Sequence, residues 1–203
     1  MFNINEIFDS VQFEGIIHHG KFARFLRLAG CNLNCPWCDT DYTPKYKLEV
    51  AELALRLRAG LTAELIVLTG GEPTIQDLET LIDCLNLPVG SAIQVETNGS
   101  QPNLLKRLLK RANVTVTWSP KAALLESQVY CDMLTGGYYS EIKTIWKTLP
   151  VDFLQMLIQQ HKPICIQPLE HREQYEDEGL LEFLSDNPTV RCSFQAHKAL
   201  GWQ

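Results

Sequence analysis

Two periods alternate along this chain. Short apolar runs of strand length are each followed by a stretch whose apolar residues recur at helical spacing. The runs 23–29 (ARFLRLA), 64–68 (ELIVL), 92–97 (AIQVET), 114–118 (VTVTW), 140–146 (SEIKTIW), 163–168 (PICIQP) and 190–195 (VRCSFQ) predict strands. The stretches 49–60, 77–85, 102–112, 151–161 and 177–186 predict helices; in the first, Val50, Leu53, Ala54 and Leu57 share a face and Gly60 marks the stop. Short connections and β-α alternation predict a parallel sheet with crossover helices. A closed eight-fold barrel takes about 250 residues, and roughly six repeats fit here. The expectation is therefore an α/β fold, an incomplete open (β/α) barrel of about six parallel strands, built as a single domain over residues 1–203.

In such folds ligands sit at the C-terminal ends of the strands. The unusual residues collect there. A cysteine loop follows 23–29, TGGEP (69–73) follows 64–68, NGS (98–100) follows 92–97, SPK (119–121) follows 114–118, and PLEHRE (168–173) follows the strand that ends at 167. Turns favour Gly, Pro, Asn and Ser, which accounts for part of this. It does not account for three cysteines on the same rim.

Composition narrows the classes. The 45% hydrophobic content suffices for one sizeable core. A net charge of −6 argues against a general polyanion binder such as a nucleic-acid module, while leaving room for a local basic pocket. No 18-residue apolar run is present, so no membrane span is expected. The opening MFNINEIFDS does not read as a signal peptide. Seven cysteines, an odd number, do not read as a secreted disulfide framework, and the reducing cytoplasm is the expected location.

Cys31, Cys35 and Cys38 stand as C-x3-C-x2-C in AGCNLNCPWCDTDY (29–42). Structural zinc takes four closed ligands, usually as paired knuckles, and no second knuckle is present. A catalytic cysteine needs one thiol rather than three. An iron–sulfur cluster uses all three, and a cubane held by three thiolates keeps one iron open to a substrate or cofactor. Cys84, Cys131, Cys165 and Cys192 lie singly, where free cysteine behaves as a small hydrophobe. Arg27 interrupts an apolar strand just before the loop. A buried arginine needs an anionic partner, either a ligand carboxylate or one of the 24 acidic residues of the chain. Thr69 and Glu96 end strands that face the same mouth, where either serves equally well as an ordinary turn residue; Glu96 is also a candidate for proton transfer. His18, His19, His161 and His171 lack metal-binding spacing and are expected at the surface.

The triple cysteine, Trp37 before its last member and a Gly-Gly-Glu-Pro after the next strand together resemble the radical S-adenosylmethionine superfamily. In order and spacing, IFDSVQFEG (7–15), RLAGCNLNCPWCDT (27–40), LTGGEP (68–73), VETNG (95–99), SPK (119–121), IQP (166–168) and QAHKALG (195–201) are similar to the family of 7-carboxy-7-deazaguanine synthases. The resemblance runs from residue 3 to residue 201 and implies a [4Fe-4S] cluster, S-adenosylmethionine and Mg2+. The implied reaction is a radical ring contraction of 6-carboxy-5,6,7,8-tetrahydropterin with loss of ammonia, in queuosine and deazapurine biosynthesis. It further implies a homodimer served by an electron donor such as flavodoxin or ferredoxin. Another small radical enzyme of glycyl-radical-activase type, or a non-catalytic iron–sulfur scaffold, are the competing expectations.

By resemblance, Cys31, Cys35 and Cys38 hold the cluster, and Thr40 supplies an oxygen to magnesium, against its plain reading as a turn cap. Gly71 and Glu72 meet the methionine end of the cofactor, and the Trp37–Asp39 backbone meets the adenine end. Ser119, Pro120 and Lys121 lie at the ribose and carboxylate, where a solvated lysine is the plainer reading of the last, and Gln167 is a further contact. Gln12, Phe13, Glu14, Arg27, Thr69 and the terminal carboxylate of Gln203 contact the pterin, with Trp202 anchoring the tail or merely packing on the barrel edge. Phe13 departs from the family, which usually has glycine there. His197-Lys198 matches a family tail signature.

Overall fold

A computed structural model describes residues 1–60, 62–171, 174–196 and 200–201, apart from the side chains at 170, 171 and 174–176. The chain runs β1 (Phe2–Gln12), β2 (Lys21–Leu28), β3 (Tyr46–Leu48), α1 (Val50–Arg58), β4 (Leu65–Gly70), α2 (Leu78–Leu85), β5 (Ala92–Thr97), α3 (Pro102–Leu108), β6 (Val114–Trp118) and α4 (Gln128–Gly136). It continues through β7 (Glu141–Ile145), α5 (Val151–Ile158), β8 (Ile164–Gln167), β9 (Leu169–His171), β10 (Gln174–Glu176), α6 (Leu180–Asp186) and β11 (Arg191–Cys192). One nine-stranded sheet has the order β11-β8-β7-β6-β5-β4-β2-β1-β3, and β9 and β10 form a separate hairpin. Every neighbouring pair from β2 to β11 is parallel. The edges, β3 and β11, do not meet, so among the described residues the barrel is open as expected. Its parallel strands run slightly beyond six, because β11 adds a short last one.

The apolar runs conceal a strict alternation. Leu26 and Leu28, Ile66 and Leu68, Ile93 and Val95, Val114 and Val116, and Ile164 and Ile166 belong to one core with Leu53, Leu57, Leu81, Leu105, Leu108 and Leu157 of the helices. Burying each such side chain contributes about 1.5–3 kcal/mol. Successive residues of a strand point to opposite faces. The other face therefore carries Arg27, Thr69, Glu96, Thr117, Lys143 and Gln167, and this polar lining becomes the site.

Five elements were not among the expected ones: β1, β3, α4, β9 and β10. β1 pairs antiparallel with β2, and β3 pairs antiparallel with β1. A register shift between Ile4 and Glu6 marks a bulge at Asn5. Bulges re-aim the side chains beyond them. Here Phe2 and Ile4 join the helix-side core, whereas Glu6, Phe8, Ser10 and Gln12 line a cleft on the other face. The helix α4 buries only Tyr130 and Met133. Tyr130 packs edge-on against Trp118, ring centroids 5.2 Å apart. No described helix is long and apolar enough to cross a membrane.

Candidate functional site

Two adjoining clefts open at the C-terminal ends of the parallel strands. One, of about 350 Å3, is lined by Glu6, Gln12, Glu14, Arg27 and Gln195 among others. The second, of about 140 Å3, is lined by the cysteine loop, Gly71, Ser119, Lys121, Lys143 and Gln167. Asp39, Thr40, Thr69 and Glu96 line both and form their common wall.

The cysteine loop leaves β2 and is pinned at both ends. Gly30 N–H donates to Tyr42 O at 2.8 Å and Cys38 N–H to Cys35 O at 3.1 Å. Cys31 and Cys35 are half-buried, Cys38 is exposed, and all three are free thiols. Leu33 N–H donates to Cys31 Sγ at 3.4 Å. Burial pushes the Cys31 and Cys35 thiols up, an effect that the Lys121 charge opposes at Cys35. Metal ligation deprotonates a thiol outright. Among the described residues no three His, Cys, Asp or Glu are placed to hold a single metal ion. Thiolates on a cluster each take a different iron and need not converge on one point. The donor set thus fits a three-thiolate cluster.

The Gly-Gly pair has a reason in this chain itself. Gly70 has φ 134°, and a Cβ on it would lie 2.0 Å from Leu28 O; one on Gly71 would lie 2.1 Å from Gly30 O. Two glycines let the end of β4 press against the start of the cysteine loop. Glu72 then departs from its expected role. It is fully buried and absent from the cleft walls. Its Oε1 accepts from Thr74 N–H (3.0 Å), Thr74 Oγ1 (2.5 Å) and Thr97 Oγ1 (2.7 Å), and its Oε2 from Asn98 N–H (2.7 Å). The carboxylate is consumed in joining two rim loops. Any cofactor contact here falls to the backbone.

On the opposite wall, Lys121 Nζ donates to Ser119 O and Oγ, each at 2.9 Å, and sits 5.3 Å from the Trp37 ring centroid. It is not a solvated surface lysine. Desolvation, with the nearby Lys143 charge, brings it down to about 8. Pro120 is buried and shapes the turn rather than lining the cleft. Gln167 is 5% exposed, lines the cleft, and its Oε1 has no partner among the described residues. Such an orphan acceptor at a cleft wall is open to a ligand donor.

The common wall is a network centred on Glu96. It accepts from Gln12 Nε2 (2.9 Å), Thr69 Oγ1 (3.1 Å) and Lys143 Nζ (3.4 Å). Lys143 also pairs with Glu14. Burial works against the Lys143 charge, but Glu14 and Glu96 outweigh it and hold the ammonium well above its usual range. Arg27 is paired with Glu6, Nε to Oε1 2.7 Å, and lies over the Phe8 ring at 5.6 Å. Its partner in this structure is thus an acidic side chain of the same cleft. Phe13 does not line either cleft; its ring lies edge-on to His19, centroids 5.9 Å apart. Thr40 Oγ1 lies 3.5 Å from Asp39 Oδ1 on the common wall. Gln203, Trp202, His197 and Lys198 lie outside the described residues.

Sequence reasoning missed Lys143, Glu141, Glu6 and Gln195. Lys143 interrupts an apolar strand as Arg27 does, and that signal was available. It also misplaced His18, which is 6% exposed, with Nε2 3.0 Å from Thr115 Oγ1.

An open parallel barrel with a three-cysteine loop at the strand ends defines the radical S-adenosylmethionine class, and the Radical SAM superfamily model matches residues 26–149. A 7-carboxy-7-deazaguanine synthase of Aquifex aeolicus is 31% identical over 96% of this chain and 91% of its own. One of Haemophilus influenzae is 31% identical over 98% and 93%. The crystal structure of QueE from Escherichia coli superposes with a TM-score of 0.68 at 29% identity, covering 96% of this chain and 93% of that one. Streptococcus suis SuiB, at 13% identity and a TM-score of 0.58, shares the fold over 80% of this chain and 46% of its own. The chain belongs to the 7-carboxy-7-deazaguanine synthase family of radical S-adenosylmethionine enzymes.

Proposed function

We propose that this chain converts 6-carboxy-5,6,7,8-tetrahydropterin to 7-carboxy-7-deazaguanine with loss of ammonia, as a step toward queuosine and related deazapurines. The observation that carries the reading is similarity over nearly the full chain to synthases of that name, joined to two clefts that share one wall. When bound, the cluster and S-adenosylmethionine supply reductive one-electron cleavage of a sulfonium and hydrogen-atom abstraction.

Cys31, Cys35 and Cys38 would hold the cluster. Ser119, Lys121 and Gln167, with the backbones of Trp37–Asp39 and Gly71, line the cofactor cleft and orient its occupant. Gln12, Glu14, Arg27 and Thr69 line the larger cleft and bind the pterin by hydrogen bonds to its ring and carboxylate. Glu96 stands on the common wall, where a carboxylate can hold a proton exchanged with the ring. Thr40 offers a hydroxyl oxygen, the kind of ligand magnesium takes. Gln203 is carried forward as a substrate ligand. A reduced flavodoxin or ferredoxin, a homodimer and a cytoplasmic setting complete the reading.

The test is anaerobic incubation of reconstituted protein with reductant, S-adenosylmethionine and the carboxytetrahydropterin. Formation of carboxydeazaguanine by mass spectrometry is expected. An intact cluster that cleaves the cofactor but yields no deazaguanine would leave only the superfamily.

A further inference from the structure

Lys143 is a buried charge for which the steps above have no use. It is 8% exposed, in the middle of β7. Its ammonium pairs with Glu14, from the β1–β2 connection, and with Glu96, from the end of β5, the second at 3.4 Å. The three residues span the wall between the clefts. Glu14 lines the larger, Lys143 the smaller and Glu96 both.

Two carboxylates that share a site repel each other, and one is pushed toward its protonated form. A cation between them removes that pressure. A buried ion pair is weak evidence for stability, since apolar replacements often do as well. This pair lies where an ionised acceptor has a use. An ionised carboxylate is acceptor-only, whereas a protonated one presents a donor. Rings of the pterin type present adjacent N–H donors.

We infer that Lys143 is a positioning residue that bridges Glu14 and Glu96 and fixes both carboxylates across the wall, so that both accept hydrogen bonds from the N–H groups of a pterin-like ring. The inference rests on the proposed function and specifies how its substrate cleft is charged.

The neighbours of Lys143 agree. Glu141, two residues earlier on the same face, has its carboxylate occupied by Ile16 N–H (2.7 Å), Ile17 N–H (2.9 Å) and Thr117 Oγ1 (2.6 Å). Cys165 is the register partner of Lys143 on β8, and burial pushes that thiol up to about 11, which keeps it neutral. Lys121 contributes a second positive charge from the cofactor side. Gln195 donates to Glu14 at 3.4 Å, and Gln12 and Thr69 donate to Glu96. Among the described residues, Lys143 is the cation in contact with both acids.

The experiment uses the cluster-reconstituted protein and its Lys143→Met, Lys143→Gln and Lys143→Arg variants. Binding of the carboxytetrahydropterin is measured for each without reductant. The Met and Gln variants should bind it about tenfold or more weaker, since two carboxylates left without their bridge are no longer held for the ring, and tenfold is about 1.4 kcal/mol. Lys143→Arg should stay with the parent. Iron content and cofactor binding should stay constant in all three variants. Parent-like pterin affinity in either folded neutral variant overturns the inference, and so does an Arg variant that fails as the neutral ones do. A parent that binds S-adenosylmethionine but no pterin defeats the functional reading instead, so the parent's own binding tells the two failures apart.

Discussion

The Glu72 carboxylate accepts the Asn98 backbone N–H at 2.7 Å and so binds the loop after β4 to the loop after β5. Asn98 in turn donates through Nδ2 to Asn32 Oδ1 at 2.9 Å, inside the cysteine loop. One buried acid thereby sets the relative position of three rim segments.

That relationship predicts a stability effect rather than a ligand effect. Glu72→Gln keeps an acceptor for the Thr74 and Thr97 donors but turns an amide NH2 toward Asn98 N–H. Each unsatisfied buried group costs about 1–3 kcal/mol, so roughly 2 kcal/mol should be lost. Glu72→Ala abandons all four donors and should cost more, ~3–5 kcal/mol, since each neutral donor left buried and unpaired costs about 1–3 kcal/mol while removing the carboxylate relieves its own desolvation in part. Urea unfolding of the cluster-free protein checks both. If neither variant is destabilised and only cofactor affinity falls, Glu72 is a ligand contact after all.

The cysteines separate by position. Cys31→Ala, Cys35→Ala and Cys38→Ala should each abolish uptake of a cluster of about four irons and four sulfides. Cys84→Ala, on the exposed side of α2, should leave it unchanged. Anaerobic reconstitution with iron and sulfide analysis reads the outcome. A Cys84 variant that loses its iron, or a triple-loop variant that keeps it, contradicts the assignment.

His18 gives a pH dependence with a definite sign. Burial, followed by the Lys21 charge, depresses its pKa below 6.5, with Glu141 opposing in part. Above 6.5 the imidazole is neutral in both folded and unfolded chains. Below it the unfolded chain takes up a proton that the folded chain refuses. Stability is therefore fully present above the unfolded value and falls as pH drops through that value toward the lower folded one, by up to ~1.4 kcal/mol per unit. Unfolding free energies between pH 7.5 and 5 should slope less steeply, by about that amount at most, in His18→Gln. Equal slopes in the two proteins would show that His18 is not the titrating group.

What the sequence disclosed follows from what the strands bury. Runs such as ELIVL announce themselves because both sides of that strand are apolar where it crosses the core: Leu65 and Val67 pack with Ala23, and Ile66 and Leu68 face the helices. β1 did not, because FNINEIFDSVQ changes its inward face at the Asn5 bulge and no single period describes it. α4 has only Tyr130 and Met133 buried, too few to draw a helical stripe. The cysteine, Gly-Gly and SPK positions were legible because their chemistry is local. Glu72 and Arg27 were legible as unusual but not in role, since their partners Asn98 and Glu6 are distant in sequence. His18 reads as a loop residue until Thr115 is brought across from β6.

The remaining prediction concerns Thr40, two residues after the last cysteine. It lines both clefts and so stands where an ion would touch the cofactor loop and the substrate together. Magnesium takes oxygen ligands, keeps several waters and often shares its shell with a bound anion. A single hydroxyl on the common wall therefore suffices as the protein's contribution, provided that the substrate's carboxylate supplies more. Thr40→Val is nearly isosteric and removes only the oxygen. It should leave iron content and cofactor binding unchanged, because neither cysteine geometry nor the Cys38–Cys35 turn depends on it. It should lower kcat/KM for the pterin by about tenfold or more at limiting magnesium, equivalent to roughly 1.4 kcal/mol of lost transition-state stabilisation. Thr40→Ser should restore most of that. The discriminating measurement is the magnesium titration of turnover, not the rate at one concentration. If Thr40 only caps its turn, Thr40→Val will lose some stability and show the same magnesium midpoint as the parent, and the hydroxyl is then no ligand of the ion.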